Sequence, residues 1–289
     1  MAIPRKLLEE KLRRFLEEDV GLGDLTTICT VPSGATANAQ IILKEPGIIA
    51  GLEEATILLE GLGLHVKPRV KDGKQMEAGA RILEINGDAR TILMAERTVL
   101  NILSRMSGIA TATNRLVKKV RSAGYPVKIA CTRKTAPGLL YFDKKAVMIG
   151  GGDTHRLHLD DLILIKDNHL KIAGGVIKAV KQAKRAASFA KKIEVEVTTS
   201  KDAVDAAKAG ADIIMLDNMK PEQIKETVRE LQRQKLRDKV LIELSGGITE
   251  KNLLQYAETK PDIISLGALT ESPSAIDMSL ELKKVISKG

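Results

Sequence analysis

The sequence predicts an α/β protein in two parts, an N-terminal α+β domain with an antiparallel sheet followed by a TIM-like β/α barrel. Three observations carry that prediction. From about residue 126, six short β-branched runs alternate with Ala/Lys-rich helical segments, the texture of successive β-α units and a parallel sheet. Before that point the strand-like runs are separated mainly by turns, as in an antiparallel sheet. Polar residues then collect at the C-terminal ends of the six later runs, where a β/α barrel carries its active site.

The elements follow in order. Leu7, Leu8, Leu12, Phe15 and Leu16 recur at helical spacing and predict an amphipathic helix over 4–18. The stretch EDVGLGDLTT (18–27) reads as a loop with side-chain-to-backbone hydrogen bonds and no chemistry. Strands are expected at 37–45, 65–70 and 80–87, with a helix in EEATILLEGLG between the first two. A long helix begins near Ala89, and Ser107-Gly108 is a candidate break in it. The barrel strands are expected at 127–131, 161–165, 192–197, 212–217, 240–244 and 262–267, with helices in GGVIKAVKQAKRAA, SKDAVDAAKAG and KPEQIKETVRELQRQ. The expected boundaries are 1–108 for the N-terminal domain, 109–275 for the barrel, and 276–289 for a C-terminal helix packing back on the N-terminal domain.

Composition narrows the function classes. The formal charge of +9 would suit a nucleic-acid binder, but only 2% of the 289 residues are aromatic and Trp is absent. No basic run alternates with stacking side chains, so neither nucleic acid nor membrane is expected as a partner. The two cysteines, Cys29 and Cys131, are far apart and lack metal-ligand spacing, which fits a reduced, cytoplasmic setting.

The richest stretch runs from Cys131 to His169 and sets Arg133, Lys134, His155, Arg156 and Lys166 beside Gly-rich turns and apolar strands. Arg matches a carboxylate with a planar fork and Lys serves phosphate as a mobile point charge, so the mixture points to a ligand carrying both groups. Gly150-Gly151-Gly152 reads as a loop able to approach that ligand. Glu194 and Glu196 alternate with valines and share one face of their strand, a costly arrangement in a barrel interior unless a cation or a hydrogen-bonding ligand meets them. Lys166 at a strand end is equally compatible with a tethered anion ligand and with a desolvated Schiff-base amine. Asp217-Asn218 reads as a site pair or as the cap of the next helix. Ser245-Gly246-Gly247 and Gly267-Ala268 follow two late strands, where barrels bind phosphate with backbone N–H groups and a helix N-terminus. Arg97 and Arg105 lie on the long helix and read as a solvated or salt-bridged face.

Together, EDVGLGDLTT, AERTVLNILSRMSGIAT, TRKTAPGL, GGGDTHR, LIKDNH, EVEV, IMLDN, ELSGGI and ISLGALT occur in the order and spacing of quinolinate phosphoribosyltransferases, and the chain resembles that family over nearly its whole length. The resemblance implies an incomplete barrel and the conversion of quinolinate and phosphoribosyl pyrophosphate, with Mg2+, into nicotinate mononucleotide, pyrophosphate and CO2 in NAD biosynthesis. It also implies that Arg133, His155 and Arg156 bind the dicarboxylate, with Lys134 between the two substrates. Lys166 would contact the phosphoribosyl donor, and Glu196 and Asp217 its ribose hydroxyls or the magnesium. Lys134, Lys166, Glu196 and Asp217 would then be the catalytic set. Ser245, Gly246, Gly247, Gly267 and Ala268 would hold phosphate. The family's assembly implies a homo-oligomer, dimer or hexamer, with Arg97 contributed across the interface. Cys131, Leu140 and Thr154 depart from the residues common in the family at their positions; the first two leave the charged constellation whole, and Leu140 and Thr154 bear on the fine geometry of the quinolinate pocket. Two rival enzymes remain, a nicotinate phosphoribosyltransferase without decarboxylation and a Schiff-base aldolase using Lys166.

Overall fold

The computed structural model describes residues 3–286. In chain order the elements are α1 (Arg5–Val20), α2 (Leu25–Thr30), β1 (Thr36–Leu43), β2 (Gly47–Ile48), α3 (Leu52–Gly61), β3 (His65–Pro68), β4 (Gln75–Met76), β5 (Arg81–Asp88) and α4 (Ala89–Ser122). There follow β6 (Lys128–Cys131), α5 (Leu140–Ile149), β7 (Ile163–Ile165), α6 (Asp167–Ala173), α7 (Val176–Ala186), β8 (Ile193–Val197) and α8 (Ser200–Ala209). The chain continues through β9 (Ile213–Asp217), α9 (Pro221–Arg233), β10 (Leu241–Ser245), α10 (Leu253–Ala257), β11 (Ile263–Leu266), α11 (Ala268–Glu271) and β12 (Met278–Ile286). No helix among the described residues is long and apolar enough to cross a membrane.

The chain divides into two compact units, and neither is continuous in sequence. The first gathers residues 1–114, 141–151 and 273–289, the second 115–140 and 152–272. The unit division therefore differs from a simple cut at residue 108.

In the first unit, β12, β1, β5 and β3 form an antiparallel sheet in that order. Alternation explains β1, where Ala37, Ala39, Ile41 and Leu43 are buried and the residues between them are more open. Helix α1 buries Leu8, Leu12 and Leu16, the apolar stripe of its sequence. The expected loop at 18–27 is a turn over 21–24 that carries the expected side-chain-to-backbone hydrogen bond, Asp24 accepting from the Thr27 N–H at 3.0 Å, and this bond caps α2, which begins at Leu25. The expected C-terminal helix over 276–289 is a strand through Ile286, and residues 287–289 lie outside the described residues. Met278, Leu280 and Leu282 alternate with Ser279, Glu281 and Lys283, and the strand pairs antiparallel with β1.

Helix α4 runs unbroken through Ser107-Gly108. Ser107 Oγ is bonded to the backbone N–H and C=O of Ala50, at 3.0 and 3.2 Å. Gly108 lies under a crossing chain, and a Cβ there would stand 1.8 Å from the Ser274 carbonyl oxygen. The Ser-Gly pair thus marks a close approach of two backbones rather than a kink.

The second unit is a parallel sheet in the order β6-β11-β10-β9-β8-β7. Its six strands fall within two residues of those expected from sequence. Among the described residues no ladder joins β7 to β6, and an isolated bridge, Ala130 to Asp153, stands near that gap. The barrel is therefore incomplete. Helices α7, α8 and α9 alternate with the strands, and apolar residues such as Val195, Ile214, Leu216, Ile242 and Leu244 are buried.

Candidate active site

The strand period of two decides what faces the inside of the second unit. On β8 it presents Glu194 and Glu196, on β9 Met215 and Asp217, on β10 Glu243 and Ser245. Parallel register sets Glu196 and Glu243 each opposite Met215, and Ser245 opposite Asp217. The strand ends border a cavity of about 650 Å³, lined by Arg133, Lys134, His155, Arg156, Lys166, Glu196, Asp217, Ser245, Gly246, Gly247, Gly267 and Ala268, with Glu243 among the further wall residues. Of the residues singled out as site candidates, only Arg97 is not in this wall. It lies exposed on α4 in the first unit.

The mouth is cationic along one side. Lys134 Nζ lies 3.5 Å from Glu271, and its carbonyl accepts from Thr270 Oγ1 at 2.8 Å, which fixes the loop after β6. Arg156 is partly buried, and burial together with the neighbouring charge of Arg133 holds its guanidinium below the ordinary arginine range. Two guanidinium groups that raise each other's cost are arranged for an anion.

Lys166 Nζ pairs with Glu196 Oε2 at 3.1 Å, and the lysine is about half exposed. An ammonium so paired and half open to water lacks the desolvation that the Schiff-base reading of Lys166 required. Asp217 ends β9 and accepts from Asn218 Nδ2 at 2.7 Å. It does not cap the next helix, whose N-cap is Lys220.

Gly246 and Gly247 both have positive φ, +87° and +62°, and no room exists for a side chain at Gly246, where a Cβ would meet Asn218 at 2.4 Å. Two consecutive positive-φ glycines form a turn that brings bare backbone to the cavity wall. The helix N-terminus expected beside this loop is displaced, since α10 starts only at Leu253. Gly267 precedes the single turn of α11 and lies 3.8 Å from Lys134 Nζ, measured from where its Cβ would be.

Beneath the mouth is a feature the sequence reading did not single out. His155 Nε2 lies 3.0 Å from Glu243 Oε2 and 3.2 Å from Glu194 Oε2, and both glutamates are fully buried. Burial opposes the charge on the ring, but the hydrogen bonds to Glu194 and Glu243 outweigh it and push the imidazole up to about 10. Burial likewise raises Glu194 above the usual carboxylate range. The backbone N–H of Arg156 points at His155 Nδ1 from 2.7 Å, a contact that only an unprotonated nitrogen accepts. The retained proton therefore sits on the Nε2 and carboxylate side and belongs to the group of three rather than to the ring alone. The signal for Glu243 was present in VLIEL, an acid amid apolar strand residues two places before the site serine.

One other expectation changes, for Gly150, and one is met, for Arg105. Gly150 ends beside α5 with its Cα against α4, where a Cβ would lie 2.4 Å from the Ala110 carbonyl, so its small size serves helix packing and not ligand approach. Arg105 is salt-bridged, forking onto buried Asp143 at 2.8 and 2.9 Å.

Comparison with known proteins agrees over the whole length. The family model for the quinolinate phosphoribosyl transferase N-terminal domain matches residues 24–107, and that for the C-terminal domain matches residues 109–281. The chain is 38% identical over 282 residues to the human nicotinate-nucleotide pyrophosphorylase (carboxylating), covering 98% of this chain and 94% of that one. It is 51% identical over 274 residues to a Methanocaldococcus jannaschii protein named a probable enzyme of the same activity, covering 94% and 95%. The solved structure of the nicotinate-nucleotide pyrophosphorylase from Francisella tularensis superposes with a TM-score of 0.89 at 39% identity, covering 98% of both chains.

Proposed function

The chain belongs to the quinolinate phosphoribosyl transferase family, and we propose that it transfers a phosphoribosyl group to quinolinate with loss of CO2, using the cavity of its second unit. One observation supports the reading above the rest. A single cavity gathers Arg133, Lys134, Arg156 and Lys166 on the one hand, and Glu196, Asp217 and the Gly246-Gly247 turn on the other. A dicarboxylate acceptor and a pyrophosphate-bearing donor need that division of charge.

The roles follow from chemistry. Breaking the bond from ribose C1 to pyrophosphate builds positive charge on the sugar, and the carboxylates of Glu196 and Asp217 stabilise it. Lys134 and Lys166 meet the negative charge growing on the leaving group. Arg133 and Arg156 hold the two carboxylates of quinolinate so that its ring nitrogen faces C1, and orientation of this kind contributes a large part of the rate. The positive ring nitrogen formed on attack then stabilises the carbanion left on the adjacent carbon when its carboxylate departs as CO2, and a proton from water completes the new C–H bond. Ser245, Gly246, Gly247, Gly267 and Ala268 supply the phosphate contacts.

Magnesium fits this site in one manner. Glu196 and Asp217 offer two carboxylates on neighbouring strands, and neither belongs to a cluster of three or more ligand groups among the described residues. Two carboxylates plus phosphate oxygens and water is a donor set that Mg2+ accepts, so these residues would hold an ion shared with the donor. Bound there, it would neutralise the pyrophosphate charge.

Quaternary structure belongs to the same reading. Arg97 is exposed, outside the cavity wall, and no hydrogen bond or ion pair engages it among the described residues. A homo-oligomer, dimer or hexamer, in which a second copy supplies Arg97 to the quinolinate end would give that cation a function. The cytoplasm is the matching compartment, with neither Cys29 nor Cys131 in a disulfide among the described residues.

The deciding experiment gives the purified protein phosphoribosyl pyrophosphate and Mg2+ with either quinolinate or nicotinate. Nicotinate mononucleotide and CO2 from quinolinate alone are expected. Turnover of nicotinate would overturn the dicarboxylate assignment.

A further inference from the structure

The geometry points to Glu243, with Glu194, as a positioning residue that acts through His155 to fix Arg156 for the dicarboxylate. The inference rests on the proposed reading of Arg156 as a quinolinate ligand. It departs from the simplest expectation, in which the His155 ring touches the substrate itself.

Both ring nitrogens of His155 are already engaged. Nε2 faces the Glu243 and Glu194 carboxylates at 3.0 and 3.2 Å, and Nδ1 receives the Arg156 backbone N–H at 2.7 Å. A nitrogen so occupied has no direction left for a second strong partner. The residue also has φ of +52°, a left-handed conformation uncommon for a side chain of this kind, and its own N–H is held by Asp153 Oδ1 at 2.8 Å. Backbone in such a conformation persists where its surroundings over-determine it. Here the anchors are Asp153 on the main chain and Glu243 and Glu194 on the ring.

The two glutamates would otherwise be unexplained. Both oxygens of Glu194, and Oε1 of Glu243, are buried without a hydrogen-bond partner among the described residues, Glu194 meeting His155 as a charge at 3.2 Å, so the acids stand in the barrel at a cost. The high basicity of the His155 group agrees with a ring gripped by carboxylates. The chain of contacts runs from Glu243 through the imidazole to the Arg156 main chain, so the guanidinium leaves a fixed turn. Misplacing a binding group by about 1 Å can cost on the order of 10²-fold, which makes such a support consequential.

The test is a double-mutant cycle read as separate KM and kcat values for quinolinate and phosphoribosyl pyrophosphate. Glu243→Gln should raise the quinolinate KM about tenfold while leaving the donor KM within about twofold. In an Arg156→Ala background the same change should add nothing. If Glu243→Gln acts equally with and without the Arg156 guanidinium, or is silent where Arg156→Ala is strongly impaired, the positioning role is overturned and the functional reading stands. If Arg156→Ala itself leaves the quinolinate KM unchanged, the reading of Arg156 fails and the proposal falls with it. His155→Gln, at a partly exposed position, repeats the cycle should Glu243→Gln not fold, and an effect that persists beside Arg156→Ala would show direct contact with substrate instead.

Discussion

Gly108→Ala separates local helix propensity from tertiary packing, because the two predict opposite signs. Alanine in the middle of a helix is favoured over glycine by about 0.8–1.0 kcal/mol, so α4 taken alone should gain. The crossing segment argues otherwise. A Cβ at 108 would lie 1.8 Å from Ser274 O, 2.9 Å from Ser274 C and 3.1 Å from Ala275 Cα, all backbone atoms. Relief means moving that segment by more than about 1 Å, since contacts under 3.0 Å are not tolerated. The segment resists, because the Ile276 N–H is bonded to the Ser104 carbonyl at 3.0 Å and leads into β12, paired along β1. Overpacking costs about 1–3 kcal/mol, and a backbone obstacle places this case at the upper end. The expected net is a loss of about 2 kcal/mol. Thermal or urea unfolding measures it, with Gly61→Ala as the control, since a Cβ at the end of α3 meets nothing within 4 Å. Gly61→Ala should be neutral or stabilising by up to about 1 kcal/mol. A stabilised Gly108→Ala would refute the close approach and restore the reading of Ser107-Gly108 as a soft point in the helix.

Arg133→Ala should raise the quinolinate KM by about 10-fold to 100-fold, the worth of a charge-assisted hydrogen bond, with the donor KM nearly unchanged in steady-state kinetics. Glu196→Gln should lower kcat by about 10²-fold while circular dichroism reports an intact fold, and full activity would remove Glu196 from the mechanism. For His155 the sign is set by a folded value near 10 against the ordinary 6.5, so its contribution to stability is complete below pH 6.5 and is lost as pH rises through about 10. Its ring 15N signals should accordingly hold one protonation state from about pH 6 to 8.5, and a midpoint near the free-imidazole value would refute the carboxylate grip.

The second unit was legible in the sequence because each of its strands states its own identity. KIEVEV alternates Ile193, Val195 and Val197 with Glu194 and Glu196, and DIIMLD runs apolar up to Asp217, so both the strands and their polar, site-facing residues can be read locally. The remaining differences share one cause, which is information held by a distant partner. MSLELKKVI is a strand because β1 offers it an edge some 235 residues earlier in the chain, as the pairing of Leu43 with Met278 records. Gly108 and Gly150 look like a hinge and a ligand loop, and both are small because another backbone crosses them. His155 reads as a substrate ligand beside Arg156, until Glu194 and Glu243 from two other strands occupy one of its nitrogens.

Those two glutamates also bear on how the site keeps its charges apart. The acids at the strand ends, Glu196 and Asp217, lie at the mouth, where Lys166 and the expected donor meet them. Glu194 and Glu243 are fully buried, and their visible partner is His155. Glu194 stands two residues before Glu196 on the same face of β8, whereas Glu243 is level with Glu196, both opposite Met215, so burial and partner rather than depth divide the acids. The partly exposed acids can then serve a sugar that turns cationic, while the buried pair on His155 serves the arginine loop that must hold an anion. If that division is right, Glu196→Gln should act on kcat and Glu243→Gln on the quinolinate KM. A pair of variants at one level of one barrel, either side of Met215, would thus report two separate steps of the same reaction.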